Sequence, residues 1–322
     1  MKVFYMMKIF TIVIFLLTTV LCFSQQEPHY TQFMYNKLAL NPGYAGSHDA
    51  VCFTGTYRNQ WIGLEGAPKT QMLSFDMPLM DKRVGIGLNI NRTSIGISDK
   101  WTLEGNYAYR IKLGEGYFGL GLQASVRYIG SNYADSRLVA TQPISSDGGI
   151  PVGAVSKYIP NFGVGLYYST DKFYIGLSAP RILENDIDFN NLSGVLGKEV
   201  PHVYFMCGLI WEFSKNAKLQ PQVLLKYAQN TPFSADINLN LILLEKLTLG
   251  FTYRTGASSF KNAGESIDLL FAIQATNQLL LGFSYDITLS GIKDYNNGSI
   301  EAVIRYCLIG SGRNDTVNPR FF

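Results

Sequence analysis

Residues 161 to 180 read Asn-Phe-Gly-Val-Gly-Leu-Tyr-Tyr-Ser-Thr-Asp-Lys-Phe-Tyr-Ile-Gly-Leu-Ser-Ala-Pro. Phe162, Val164, Leu166 and Tyr168 alternate with Gly163, Gly165 and Tyr167. After Thr170-Asp171 the alternation resumes, with Phe173, Ile175, Leu177 and Ala179 set against Tyr174, Gly176 and Ser178. A period of two on both sides of a two-residue break predicts an antiparallel hairpin with one large apolar face and one small or polar face. Such a hairpin fits a soluble sandwich as well as a membrane wall, and the rest of the chain decides between them.

The chain has 322 residues, of which 16% are charged and 13% aromatic, with 31 glycines. Soluble domains carry roughly 25% charge, so this composition is poor in charge and rich in Tyr, Phe and Gly. The continuous apolar run from Ile9 to Phe23 follows Lys8 and precedes Ser24-Gln25-Gln26. It is too short for a membrane-spanning helix and reads as a signal peptide over 1–24, cleaved after Ser24. Lipidation at Cys22 is disfavoured because Leu21 precedes it where a small residue is usual. Removing Lys2 and Lys8 from the 27 basic residues leaves 25 against 24 acidic ones, a balance that excludes an electrostatic nucleic-acid binder. Cys52, Cys207 and Cys307 are odd in number and far apart, which suggests neither a disulfide framework nor a metal site.

Residues 25–49 are polar and aromatic without a clean period and read as an N-terminal lead-in or plug segment. From Val51 to Ile309 fourteen strand-like segments follow one another, leaving 310–322 as a tail. Most run nine to twelve residues, the length a tilted strand needs to cross a bilayer. One face stays apolar from end to end, as in Leu279, Leu281, Phe283, Tyr285, Ile287 and Leu289, while Gly282, Ser284, Asp286 and Thr288 oppose them. Links after even-numbered segments are short, such as Thr170-Asp171, Leu244-Glu245 and Thr276-Asn277. Those after odd-numbered segments are generally longer, such as Gly130 to Pro160 and Pro180 to Pro201. Together these features predict an all-β fold, a transmembrane antiparallel barrel of about fourteen strands, with the short turns and both termini in the periplasm. Closure also removes every exposed strand edge. Aromatic residues near segment ends, including Tyr57, Tyr107, Tyr109, Trp211 and Phe213, suit interface girdles.

Catalytic patterns are missing from the sequence: it has no phosphate-binding loop, nucleophile elbow or paired-histidine metal motif. Pairs such as Gly85 with Gly87 and Gly119 with Gly121 continue strands, and close packing inside the barrel is their expected role. No cofactor is expected, and His202, at the start of a segment, is the one histidine worth testing for hydrolysis. Arg58, Arg110, Arg127, Lys226, Arg254 and Arg305 fall on the lumen face with Asp76, Glu104, Glu212, Asp236, Asp268, Asp286 and Glu301. Six against seven is a balanced set, which favours ion pairs around a filled interior over a pore selective for one sign of charge.

Three front motifs resemble the opening of the PorP/SprF family of type IX secretion system membrane proteins. They are His29-Tyr30-Thr31-Gln32-Phe33-Met34-Tyr35-Asn36, Asn41-Pro42-Gly43-Tyr44-Ala45-Gly46-Ser47 and Arg58-Asn59-Gln60-Trp61, the last followed by Ala67-Pro68. Ser74-Phe75-Asp76, Pro160-Asn161-Phe162-Gly163-Val164-Gly165, Leu249-Gly250-Phe251-Thr252-Tyr253-Arg254 and the closing Pro319-Arg320-Phe321-Phe322 agree with it. Where such proteins often carry His-Glu in the last strand, this chain has Ile300-Glu301. The resemblance implies a non-enzymatic outer-membrane barrel of Bacteroidota that works with the secretion and gliding-motility machinery. It further implies as partners a large secreted adhesin, exported or held through its C-terminal sorting domain, other secretion components, and outer-membrane lipid. The residues it marks for a plug or partner contact are Tyr30, Asn36, Asn41, Pro42, Tyr44, Gly46, Arg58, Gln60 and Trp61. The competing reading is a porin or hydrophobic-solute channel.

Overall fold

The computed structural model describes residues 27–48, 50–138, 153–187, 198–229, 231–256 and 264–308. The expected signal peptide and C-terminal tail lie outside them. Fourteen strands form the wall of a closed antiparallel barrel. They are β1 (Val51–Asn59), β2 (Lys69–Leu79), β3 (Val84–Ile95), β4 (Ser98–Leu113), β5 (Gly116–Asn132), β6 (Ala154–Ser169) and β7 (Phe173–Ala179). The second half comprises β8 (His202–Leu209, continued after Ile210 as Trp211–Ser214), β9 (Ala217–Ala228), β10 (Ser234–Leu243), β11 (Leu247–Arg254), β12 (Ser266–Gln274), β13 (Leu279–Thr288) and β14 (Ser299–Leu308). Each strand pairs with its neighbours in sequence, and β1 pairs with β14 to close the ring.

The alternation that predicted the strands is realised as two faces. Leu166, Phe173, Ile175, Leu177, Phe251, Phe271 and Phe283 are exposed on the outside, a band suited to lipid. Tyr57, Tyr107, Tyr109, Trp211 and Phe213 are exposed on the same face. Strand β6 begins at Ala154, before the predicted Asn161, and so contains Pro160. Proline is tolerated there because Pro160 pairs only with Val126 of β5; pairing with β7 starts higher in sequence, at Val164. The link between β3 and β4 is only Gly96-Ile97, an exception among the long loops, since both strands run further than their sequence pattern indicated.

The hydrophobic core lies inside this wall and is built around the lead-in. Phe33, Met34, Tyr35, Leu38, Leu40, Tyr44 and Ala45 pack on Met72, Ala108, Tyr167, Tyr174, Met206, Leu224, Leu270 and Val303. Among the described residues helix is confined to short 3-10 turns, three of them in this segment: Phe33–Tyr35, Lys37–Ala39 and Pro42–Tyr44. The lead-in also has a direction. Glu27 lies beside Arg181 and Glu199 of the long β7–β8 loop, whereas His48 lies beside Asp76 and Arg305 near the short turns. The expectation that both termini share the short-turn end therefore fails for the described N-terminal residue, Glu27. Leu308 does end β14 at the short-turn side, opposite Val51.

A second correction concerns cysteine. Cys52 and Cys307 form a disulfide, their Cα atoms 4.1 Å apart, although 255 positions separate them. Widely spaced cysteines on the first and last strands become direct partners when a barrel closes, so linear spacing was the wrong measure of distance. Cys207 remains a free thiol.

Candidate functional site in the barrel lumen

The Asn41-to-Gly46 motif is decoded by the wall it touches. Asn41 caps its turn by accepting from the Gly43 amide at 2.8 Å, and its amide nitrogen donates to the Leu166 carbonyl at 2.9 Å. Pro42 occupies the first position of that turn, where no backbone N–H is needed. A Cβ on Gly121 or Gly165 would run into Gly43, Pro42 or Asn41, so the wall is bare there to let the lead-in backbone approach. The Gly-x-Gly pattern of the strands thus belongs to close packing, as the sequence suggested. Tyr44 is buried, with its ring edge-on to Tyr167 at 5.1 Å between centroids and its hydroxyl 3.0 Å from His48 Nε2. Gly46 adopts φ +73°, a conformation that favours glycine, and its carbonyl accepts from Arg110 at 2.6 Å.

Towards the long-loop end the contacts become ionic. Arg58 donates to Asp286 at 2.6 Å, to Glu301 at 3.2 Å and to the Thr31 hydroxyl at 2.9 Å. Glu301 accepts from the backbone amides of Thr31 and Gln32, at 3.0 and 2.8 Å. Glu301 of the departing Ile300-Glu301 pair is therefore a clamp on the lead-in backbone. Arg254 bridges Asp236 and Asp268, and Lys226 also reaches Asp236. Tyr30 accepts from Asn91 and Asn36 donates to Ser74, tying the middle of the segment to β3 and β2.

A further ionic cluster includes residues that strand periodicity did not reveal. Arg181 contacts Glu27 at 2.9 Å and Glu104 at 2.7 Å, while Arg127 contacts Glu27 and Glu199. Burial pushes the Glu27 carboxyl up, but Arg127 and Arg181 outweigh it and hold the group well below the usual carboxylate range. Asn161, the first residue of the stretch that announced the fold, accepts from the amides of Ile182 and Leu183 and donates to Glu199. It thereby fastens the root of the β7–β8 loop.

Seven of the nine residues marked by the family resemblance, Tyr30, Asn36, Asn41, Pro42, Tyr44, Gly46 and Arg58, meet in the lumen and are buried. Gln60 and Trp61 do not join them. They lie in the β1–β2 loop, where the Gln60 amide donates to Pro68 and the Trp61 amide to Ser299. Trp61 adopts φ +52°, so its part of the motif shapes a turn. Glu212 also departs from expectation: it is exposed near a short turn and pairs there with Lys218. Of the candidate catalytic groups, His202 places Nδ1 2.9 Å from the Val200 carbonyl and stacks on Tyr204.

One trio has metal-ligand chemistry. Donor atoms of His48, Cys52 and Asp76 lie within 4.8 Å of one another. Cys52 sulfur is already bonded to Cys307, which leaves it no thiolate to offer, and Arg305 lies 3.2 Å from His48 Nε2. Because Arg305 can only donate, Nε2 accepts and Nδ1 carries the hydrogen given to Asp76. His48 and Asp76 are a buried hydrogen-bonded pair beside the disulfide.

Among solved structures, the chain is similar to the toluene transporter TbuX of Ralstonia pickettii, at 10% identity over 84% of this chain and 92% of that one, TM-score 0.50. It is also similar to the monoaromatic hydrocarbon channel CymD, at 14% identity over 86% and 92%, with the same TM-score. These likenesses show the fold alone. No curated protein sequence matches the chain. The model of the type IX secretion system membrane protein PorP/SprF matches residues 22–306, which spans the lead-in and nearly the whole wall. The chain belongs to the PorP/SprF family of type IX secretion system membrane proteins.

Proposed function

We propose that this outer-membrane component of type IX secretion is a plugged anchor for a secreted adhesin, with the long loops facing the cell exterior and the short turns the periplasm. The observation that carries the reading is the lead-in, whose apolar residues and polar side chains contact the inner wall from the long-loop end to the short-turn end. In this reading the lead-in plugs the lumen, which favours holding a partner at the surface over passing solutes. The adhesin's C-terminal sorting domain docks at the loop mouth, on 130–160 and 180–201, whose second root is fixed by Asn161, Arg181 and Glu199. The chain performs no catalysis in this reading, and His202→Ala leaves display of the adhesin unchanged. Deleting the gene strips the cognate adhesin from the cell surface; normal surface display in the deletion strain would refute the proposal.

The channel reading is separated by conductance of the purified barrel in planar bilayers. A large steady conductance favours a pore, and near silence favours the plugged anchor.

A further inference from the structure

The outer wall carries a groove that a smooth lipid band does not require. It measures about 590 Å³ and is bordered by Gly55, Leu73, Ile90, Leu281, Ala302 and Ile304 across the β1–β14 seam. The groove exists because two outward positions near the seam are small. Gly55 faces Ile304, and Ala302 faces Tyr57 one step along. Phe53 and Phe75 stand next in register toward the short turns, their ring centroids 5.2 Å apart, and end the groove on that side.

Toward the long loops, Tyr57, Gln71, Arg92, Trp101 and Tyr128 form one unbroken row of cross-strand partners. Arg92 sits in that aromatic row, its guanidinium 5.3 Å from the Trp101 ring centre. Its side chain is 40% exposed, and its Nε donates to Asp99. A guanidinium has five donors in a fixed fork, so one bond to Asp99 leaves room for a bidentate partner. Tyr57 is four residue steps along β1 from Phe53, about 14 Å of apolar groove leading away from the cation.

A cation at one end and an open apolar trough beneath it match an amphiphile with an anionic head. We infer that this groove is a binding site for one lipid with a phosphate headgroup, its acyl chain lying over Gly55 and Ala302 and its phosphate on Arg92. Gln71, beside Arg92 in the row, supplies an amide donor to the same head. The orientation proposed above puts the site in the outer leaflet; binding itself does not depend on that orientation or on the secretion role.

Native mass spectrometry of the full-length barrel, exchanged into nanodiscs containing either phosphorylated or phosphate-free lipid A, tests the site. One phosphorylated lipid per wild-type barrel is expected to survive, with much weaker retention of the phosphate-free form. Retention should fall about tenfold in Arg92→Gln, which loses a charge-assisted contact, and as far in Ala302→Phe, which fills the trough. Arg92→Lys, which keeps the charge and loses the bidentate fork, should recover only part of it, and Leu239→Phe on another part of the wall should keep all of it. Each variant is first confirmed folded by its heat-modifiable gel mobility; if Arg92→Gln fails that check, Ala302→Phe decides. Equal retention of both lipids, unchanged retention in the folded variants, or a protein mass in place of the lipid overturns the inference.

Discussion

Arg58 of β1 and Asp286 of β13 meet across β14 at 2.6 Å, and the Thr31 hydroxyl of the lead-in lies 2.9 Å from each of the two side chains. Wall and lead-in thus share one ion pair. Replacing Arg58 by Met leaves Asp286 and Glu301 buried without their main counter-charge, and removing one partner of such a pair costs about 3–5 kcal/mol. Urea unfolding of the refolded barrel should show a loss of that size, with Arg58→Lys recovering part of it. An unchanged midpoint would mean that water reaches this pair.

The Cys52–Cys307 bond joins the two strands that close the ring. Oxidised protein should run as a more compact band than reduced protein on a denaturing gel. The double change Cys52→Ser with Cys307→Ser should remove the difference and lower stability by about 2–5 kcal/mol. Cys207→Ser should alter neither reading.

Glycines that admit the lead-in give a test of the seal. A side chain at Gly85 would collide with the Ala45 carbonyl, and one at Gly119 with that of Gly43. Gly85→Val should displace the lead-in while leaving the wall paired, so a silent barrel should gain conductance in planar bilayers. A silent Gly85→Val barrel would argue that the lumen stays closed by other means.

Acid should loosen the mouth. Glu27 has a folded-state value held below its ordinary 4.5 by Arg127 and Arg181, against the opposing effect of burial. Its contribution is therefore complete above about pH 4.5 and lost as the pH falls below that, because the unfolded chain takes up the proton first. Protease cleavage near residue 27 should rise on acidification in wild type and be high at every pH in Glu27→Gln.

Period-two alternation was enough to read the wall, since lipid outside and a packed interior impose opposite demands on successive residues. Strand limits slipped where polar residues continue the pairing beyond the apolar band, as at Ser98, Asp99, Ser156 and Lys157. The buried charges Arg58, Arg254 and Asp286 were legible because they interrupt an otherwise small or polar face. Arg181 and Glu199 were not, because they lie in a loop where no periodicity marks burial. The disulfide was hidden for a related reason: only the closed ring makes residues 52 and 307 neighbours. Nor does local sequence fix the direction of the lead-in, which depends on partners such as Arg181, Glu301 and Asp76 drawn from all around the ring.

That direction constrains how the molecule is assembled. The segment from Glu27 to His48 crosses the interior and connects to β1 at the opposite end from where it starts, so it is encircled by the strands that follow it in sequence. Either the ring closes around a segment already laid against its inner face, or the segment is drawn through a finished ring past Gly85, Gly119 and Gly121, where the backbones nearly touch. The first order is the less obstructed. It makes the pairing of β1 with β14, with its bond between Cys52 and Cys307, the clasp fastened once the contents are in place.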